Sequence, residues 1–379
     1  MLKETCDLFV FAGEKSGDLH GGNILRELQS ARPQVKIRGV GGPSMRAAGL
    51  DCILPMERFQ VMGFVDVFLA LPRLARQFYF VKKFILRTQP PVVLLIDYPG
   101  FNLRLAAHLR KAGYKGRICH YICPSVWAWG KKRIPHMAET LDMLLSILPF
   151  EKSYFSDTPL PVHYVGHPLV AAINRHRHQP LKGFSGKVLA LFPGSRLKEI
   201  ERNLPFQLAA AKRLCEKDHL QIAISFTNSA FLHHIQYYIE QAGLTDIKLI
   251  PPEHTYDLMH RAHLALAKSG TVTLELALHG VPTVVTYGIS TLDLFIARRI
   301  LRIELPYYCL VNILADENVF PELIGPNLTF DALHQAAKTL LDNPVLYADC
   351  QEKCERVKAL LGREDASRAA ALHLAPHLN

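Results

Sequence analysis

The sequence predicts an α/β protein of two successive domains, each a parallel sheet covered by helices, with a cleft between them. Three observations carry this. Short, wholly apolar runs alternate with amphipathic stretches along nearly the entire chain, the pattern of buried parallel strands joined by crossover helices. A chain of 379 residues has room for two domains, each with its own core. A stretch rich in His, Arg, Pro and Gly and lacking any period, residues 168–186, splits the alternation in two.

Taken in order, Leu8–Ala12 is the first strand. The turn Gly13-Glu-Lys-Ser-Gly17-Asp18 leads from it into a helix reaching Ser30, with Asp18 a fitting N-cap. Val35–Val40 is a second strand, ending at Gly41-Gly42. Val92–Ile96 reads as a central strand ending at Asp97, and Ile118–Tyr121 and Met143–Ile147 complete the sheet. Neither glycine turn has the Gly-x-Gly-x-x-Gly or P-loop spacing, so a nicotinamide cofactor is not indicated. The second half places strands near 188–192, 220–226, 247–250, 264–267 and 283–287. The last 50 residues are helical, with a break at Asn343-Pro344.

Composition narrows the function. Hydrophobic residues at 49% and charged residues at 21% describe a globular chain, and a net charge of +10 calls for an anionic partner. Nucleic acid lacks its usual zinc-finger, helix-turn-helix or RNA-binding patterns here, leaving an acidic substrate or an anionic membrane surface. The eight cysteines are scattered, as in a reducing cytoplasm. Cys119/Cys123 and Cys350/Cys354 have no matching pair at zinc-site distance, and His176-x-His178 and His233-His234 read as surface histidines, so no metal is expected. The N-terminus has no signal-peptide core, and the longest charge-free stretch, Leu276–Leu292, is broken by Gly280, Pro282 and Gly288. The expectation is a cytoplasmic protein, at most peripheral to a membrane.

Two turns point to chemistry. Val188–Phe192 runs into Pro193-Gly194-Ser195-Arg196 and a helix, offering backbone amides and a guanidinium fork to a phosphate. Leu264–Ala267 runs into Lys268-Ser269-Gly270-Thr271 and a second helix carrying Glu275, which is placed to bond ribose hydroxyls. Two such turns in one half suggest a nucleotide diphosphate. In the first half, Asp97 at a strand's carboxyl end is a candidate proton acceptor, against an ordinary role as a turn or cap residue. Ser16 and Asp18, Asn102, and Ser125 with Trp127 are the candidates for a sugar on that side, each with a packing or turn role as the alternative. Trp127 and Trp129 are followed by Lys131, Lys132 and Arg133. Met62, Phe64, Val65, Phe68, Leu69 and Phe78 mixed with Arg73, Lys82 and Lys83, and Arg298, Arg299 and Arg302 further on, suit an anionic membrane surface or an acyl channel. Their alternative is two core helices with solvated basic faces.

Gly13-Glu-x-Ser-Gly-Asp18, Gly41-Gly-Pro-x-Met45, Val61-Met-Gly63, Ile96-Asp-x-Pro99 with Phe101-Asn102, Pro124-Ser-Val-Trp-Ala-Trp129, Pro149-Phe-Glu151, Val165-Gly-His-Pro168, Pro193-Gly-Ser-Arg196, Ser269-Gly-Thr271 with Leu274-Glu275, and Asn312 stand in this order. Together they resemble the lipid-A-disaccharide synthase family over nearly the whole chain. The resemblance implies a GT-B fold. The domains would be 1–170 on the acceptor side and 171–354 for the donor, with helices from about 355 to 379 packing back on the first. It implies an inverting, metal-independent transfer without a cofactor. The donor would be UDP-2,3-diacylglucosamine and the acceptor 2,3-diacylglucosamine 1-phosphate, at the inner face of the cytoplasmic membrane. A homodimer is compatible with it. By motif, Asp97 matches the base, Arg196 the diphosphate-binding arginine and Asn312 an active-site asparagine. Tyr98 and Gly100 stand where the family commonly has Ala and Asp, and Ile313–Asn318 lacks its usual Ala-Gly-Arg-Glu. The rivals are a UDP-sugar 2-epimerase on the same fold and a non-catalytic lipid-binding protein.

Overall fold

The computed structural model describes residues 5–59, 64–218, 220–290 and 305–378. The chain forms two units, one of residues 1–171 with 363–379, the other of residues 172–362.

Unit 1 is built on a seven-stranded, all-parallel sheet. Its strands are β1 (Leu8–Ala12), β2 (Ile37–Gly41), β3 (Asp51–Pro55), β4 (Val92–Ile96), β5 (Arg117–Tyr121), β6 (Met143–Ser146) and β7 (Val162–Tyr164), in the order β3-β2-β1-β4-β5-β6-β7. The fully buried runs Leu8–Ala12 and Val92–Ile96 lie side by side at the centre, Leu8 opposite Val92 and Ala12 opposite Ile96. Alternate residues of these strands feed two separate cores: Phe9, Phe11, Val93 and Leu95 on one face, and Leu8, Val10, Leu94 and Ile96 on the other. That two-sided burial is why the strands read as continuous apolar runs. The edge strands β3 and β7 were not legible, because each has only one buried residue and no long apolar run.

Helices α1 (Lys15–Ala31), α2 (Pro43–Ala47), α3 (Phe64–Thr88), α4 (Pro99–Lys111), α5 (Arg133–Thr140) and α6 (Pro168–Arg175) complete the first pass. Unit 2 repeats the plan with β8 (Val188–Phe192), β9 (Gln221–Ser225), β10 (Ile247–Ile250), β11 (Leu264–Lys268), β12 (Thr283–Tyr287) and β13 (Glu322–Ile324), all parallel, in the order β10-β9-β8-β11-β12-β13. Its helices are α7 (Leu197–Asp218), α8 (Leu232–Ala242), α9 (Thr255–Arg261), α10 (Thr271–Leu278), α11 (Leu310–Ala315), α12 (Phe330–Asp342) and α13 (Pro344–Leu361). The Asn343-Pro344 break is a cap: the Asn343 side chain accepts from the Val345 and Leu346 amides, both at 3.1 Å.

The chain returns to unit 1 at residue 363, later than the 355 expected, and α13 stays in unit 2. The returning helix α14 (Ala366–Leu374) lays Ala370, Ala371 and Leu374 into the core beneath α1, and Arg32 fastens the end of the chain by donating to the Leu378 carbonyl at 2.8 Å.

Candidate active site

In each sheet the strand order reverses once, between β1 and β4 and between β8 and β11. Ligands of open parallel sheets bind outside the carboxyl ends of the strands at such a reversal. The turns singled out in the sequence sit at these two places.

In unit 1 the backbone itself marks the spot. Asp97, Tyr98 and Ile122, at the ends of β4 and β5, hold φ values of +47°, +48° and +71°. Left-handed backbone at non-glycine residues costs roughly 1–3 kcal/mol each and survives only where neighbours enforce it. Here the Asp97 amide donates to the Tyr121 carbonyl and the Ile122 amide to the Leu145 carbonyl, both at 2.9 Å. Asn102 Nδ2 donates to the Ile96 and Asp97 carbonyls at 3.2 and 2.6 Å, and the Tyr98 hydroxyl donates to the Phe59 carbonyl at 3.0 Å. A side chain at Gly13 would come within 3.0 Å of the Tyr98 ring, so the β1 and β4 turns are packed against each other. The Asp97 carboxyl is left half-buried, and burial raises its pKa above the ordinary aspartate value, opposed by the Tyr98 amide. That makes it a stronger proton acceptor than a solvated carboxylate. His120 on the neighbouring strand is fully buried and held neutral, its pKa pushed down to about 4 by that burial.

The expected sugar-side residues divide. Ser16 and Ser125 are exposed, and Trp127 is half-buried in the π-helical turn Val126–Gly130 with its ring edge-on to Phe150, centroids 5.6 Å apart. Asp18 and Asn102 are corrected to structural roles. Asp18 is buried and caps α2 rather than its own helix, accepting from Gly42 and Met45 at 2.7 and 3.1 Å and from Ser44 at 2.9 Å. Asn102, fully buried, is the clamp of the Asp97 turn.

In unit 2, Gly194 has φ +128°, and a Cβ there would lie 2.6 Å from that of Glu199. Only glycine makes this turn without strain. It brings the Glu199 carboxylate over the loop, where Oε2 accepts from the Ser195 amide at 2.9 Å. Its Oε1 meets Lys268 Nζ at 3.1 Å and Arg196 Nη1 at 3.7 Å. Despite desolvation, the Ser195 amide, Lys268 and Arg196 hold the Glu199 carboxyl below its ordinary pKa. The Ser195 amide is therefore engaged, not free as expected from sequence, and a carboxylate already occupies an anion position between the two turns. Lys268 stood in the second turn and Glu199 just past the first, in the helix that follows Arg196, but nothing in a linear sequence shows that they meet. Arg196 remains 83% exposed. On the other turn, no side chain caps the first amides of α10, which follow Ser269 and Gly270. Glu275 is half-buried, its pKa raised by burial, and it accepts from the Tyr256 hydroxyl at 3.1 Å.

Asn312 is likewise a fastener. Fully buried, it accepts from the Val319 and Phe320 amides at 3.0 and 2.9 Å and donates to the Phe320 carbonyl and Glu322 at 2.8 and 2.9 Å. Of the residues expected to face lipid, Met62, Arg298, Arg299 and Arg302 lie outside the described residues, as do the side chains of Phe64, Val65, Phe68, Leu69 and the second tryptophan, Trp129. Phe78 is corrected: it turns inward, packing on Phe101 and His108 with centroids 5.3 and 5.1 Å away. Lys82 is half-buried, whereas Arg73 and Lys83 are exposed. Among the described side chains of α3, Leu71, Tyr79 and Phe80 are the exposed large apolar residues.

Two Rossmann-like parallel-sheet units define a GT-B protein. A Neisseria meningitidis UDP-GlcNAc 2-epimerase solved with UDP-GlcNAc bound superimposes with TM-score 0.64 at 12% identity, over 97% of this chain and 99% of that one. MurG of Acinetobacter baumannii does so with TM-score 0.57 at 11% identity, over 97% and 99%. At such identities these matches speak to the fold alone. The profile of the lipid-A-disaccharide synthetase family matches residues 8–375, and the chain belongs to that family. It is 41% identical to the lipid-A-disaccharide synthase of Chlamydia muridarum over 86% of this chain, and 39% identical to that of Chlamydia trachomatis serovar D over 97%. The chain spans only 55% and 61% of those two relatives' own lengths. With the Nitrosococcus oceani lipid-A-disaccharide synthase it shares 35% identity over 93% of this chain and 92% of that one.

Proposed function

We propose that the protein transfers a glucosamine unit, with inversion, from UDP-2,3-diacylglucosamine to the 6-hydroxyl of 2,3-diacylglucosamine 1-phosphate, forming a β-1,6 disaccharide and UDP. Family membership and the names of its relatives support the substrates. The observation that carries the mechanism is the Asp97 carboxyl, held in strained backbone at the sheet reversal with its proton affinity raised by burial.

In this reading Asp97 takes the proton from the acceptor hydroxyl as that oxygen attacks the anomeric carbon from the face opposite the diphosphate. Negative charge growing on the departing UDP is met by Arg196, Lys268 and the uncapped start of α10. Such fixed donors are worth on the order of 3 kcal/mol each in the transition state, and they fill the place of a metal in this transfer. The Glu199 carboxylate marks where a donor phosphate would sit, so binding the donor requires Glu199 to give up the Ser195 amide.

The acyl chains call for a membrane surface. Among the described residues no helix is long and apolar enough to cross one. On α3, exposed Leu71, Tyr79 and Phe80 stand among Arg73, Arg76, Lys83 and Arg87, which suits peripheral docking on anionic lipid.

The deciding measurement is UDP release from UDP-2,3-diacylglucosamine with and without the acceptor. Release that depends on the acceptor and fails in Asp97→Asn supports the reading. Isomerisation of UDP-GlcNAc with no acceptor present would replace it with the epimerase.

A further inference from the structure

The two histidines of the His176-x-His178 segment, read from sequence as surface residues, converge on unit 2's helix α9. His176 Nε2 lies 2.8 Å from Asp257 Oδ1 and His178 Nδ1 lies 3.7 Å from the same oxygen, and the three donor atoms fall within 4.8 Å of one another. Ligands about 2.0–2.1 Å from a tetrahedral Zn²⁺ stand roughly 3.4 Å apart, so these separations already bracket a coordination shell. Asp257 and His260 are one turn apart on α9, and the His260 ring stacks on His178 with centroids 4.2 Å apart.

Two more features mark a ligand shell. Asp257 is buried and aimed by neighbours, with His254 Nδ1 2.8 Å from Oδ2 and the Gln179 amide donating to Oδ1 at 2.8 Å. Outer partners of this kind orient metal-binding carboxylates. His279 Nδ1 lies 2.7 Å from the Glu275 carbonyl. A carbonyl only accepts, so that nitrogen carries the hydrogen and Nε2 presents a bare lone pair. That Nε2 is buried without a partner among the described residues, and the ring centroid is 5.5 Å from that of His178.

We propose that His176, His178 and Asp257 bind a first-row divalent metal of the Zn²⁺ class, with His260 or His279 completing the shell. Binding at His176 Nε2 displaces the hydrogen that this nitrogen shares with Asp257: a neutral imidazole then carries it on Nδ1, and an imidazolium releases one proton to solvent. The site pins the segment leading into β8 onto α9. It lies behind the Ser269-Gly270 turn, about 12 Å of α10 rise away at His279, and adjoins Tyr256, whose hydroxyl bonds Glu275 at 3.1 Å.

The test uses the full chain stripped with chelator and titrated with Co²⁺ and then Zn²⁺, followed by visible absorption and calorimetry. One metal per chain is expected, with cobalt bands of a four-coordinate site. Affinity should fall at least about tenfold in His178→Ala and stay unchanged in His233→Ala. His178 is partly exposed on an irregular segment, so its loss should leave the metal-free melting temperature unaltered, and Zn²⁺ should raise that temperature only in the parent chain. No one-to-one complex at about 100 µM metal, or a complex that persists unweakened in His178→Ala, overturns the proposal.

Discussion

Asp97, Lys268 and Asn312 were all in view as letters of motifs, and the proposed reading gives them three different kinds of work. Asp97→Asn should lower turnover at least about a hundredfold with the fold intact, since it removes the proposed proton acceptor and little packing. Because burial raises the Asp97 pKa, the acid limb of the pH–rate profile should lie above the ordinary 3.8, activity failing as pH falls through it. An acid limb at or below 3.8 would assign the base elsewhere. Lys268→Ala should weaken UDP binding about tenfold or more by calorimetry, because its ammonium is the better buried of the two cations at Glu199. Asn312→Ala should act on stability instead. Leaving buried amides and a carbonyl unpaired costs about 1–3 kcal/mol, visible as a lower denaturation midpoint, whereas loss of turnover without loss of stability would restore it to the active site.

At the scale of elements, turns carry more than strands. The π-helical turn holding Trp127 packs on the segment after β6, where Glu151 is 1% exposed. Ser146 Oγ has one proton for two acceptors, the Leu148 carbonyl at 2.8 Å and Glu151 Oε2 at 2.5 Å. A neutral Glu151 relieves that conflict by donating in turn. Burial raises its pKa from 4.5 to about 7, against hydrogen bonding from Ser146 and the Leu148 backbone that favours the charged form. The folded chain therefore keeps a proton that the unfolded chain releases, and stability should fall as pH rises from about 4.5 to about 7, then level off. A shift of that size corresponds to up to about 3 kcal/mol. Glu151→Gln should flatten this part of a pH-dependent denaturation series, and an unchanged slope would exclude Glu151 as its source. The central strands were legible because burial on both faces leaves an unbroken apolar run. The edge strands β3, β7 and β13 were not, because one-sided contact leaves no such run.

For the molecule as a whole, the net charge of +10 and the exposed apolar-basic face of α3 make an electrostatic prediction. Binding to vesicles containing anionic lipid should weaken as salt rises, and Tyr79→Ser with Phe80→Ser should reduce it severalfold while Phe78→Ser lowers stability. Equal binding by the parent and the double variant would move the docking surface away from α3. Two domains were readable from two runs of strand–helix alternation, because that alternation is local. The late return of residues 363–379 to unit 1 was readable only through the resemblance, because an amphipathic helix shows that it has a buried face and not which core receives it.

By itself the sequence determined the parallel sheets, the turns at their carboxyl ends and the residues able to do acid–base and phosphate chemistry, since these follow from short-range pattern and side-chain type. Only the tertiary structure decided which polar residues face solvent and which are consumed as clamps. It drew Asp18, Asn102 and Asn312 inward, set Glu199 against Lys268, and gathered His176 and His178 at Asp257. Those outcomes depend on which distant backbone groups need a partner once water is excluded, and a linear chain does not display that.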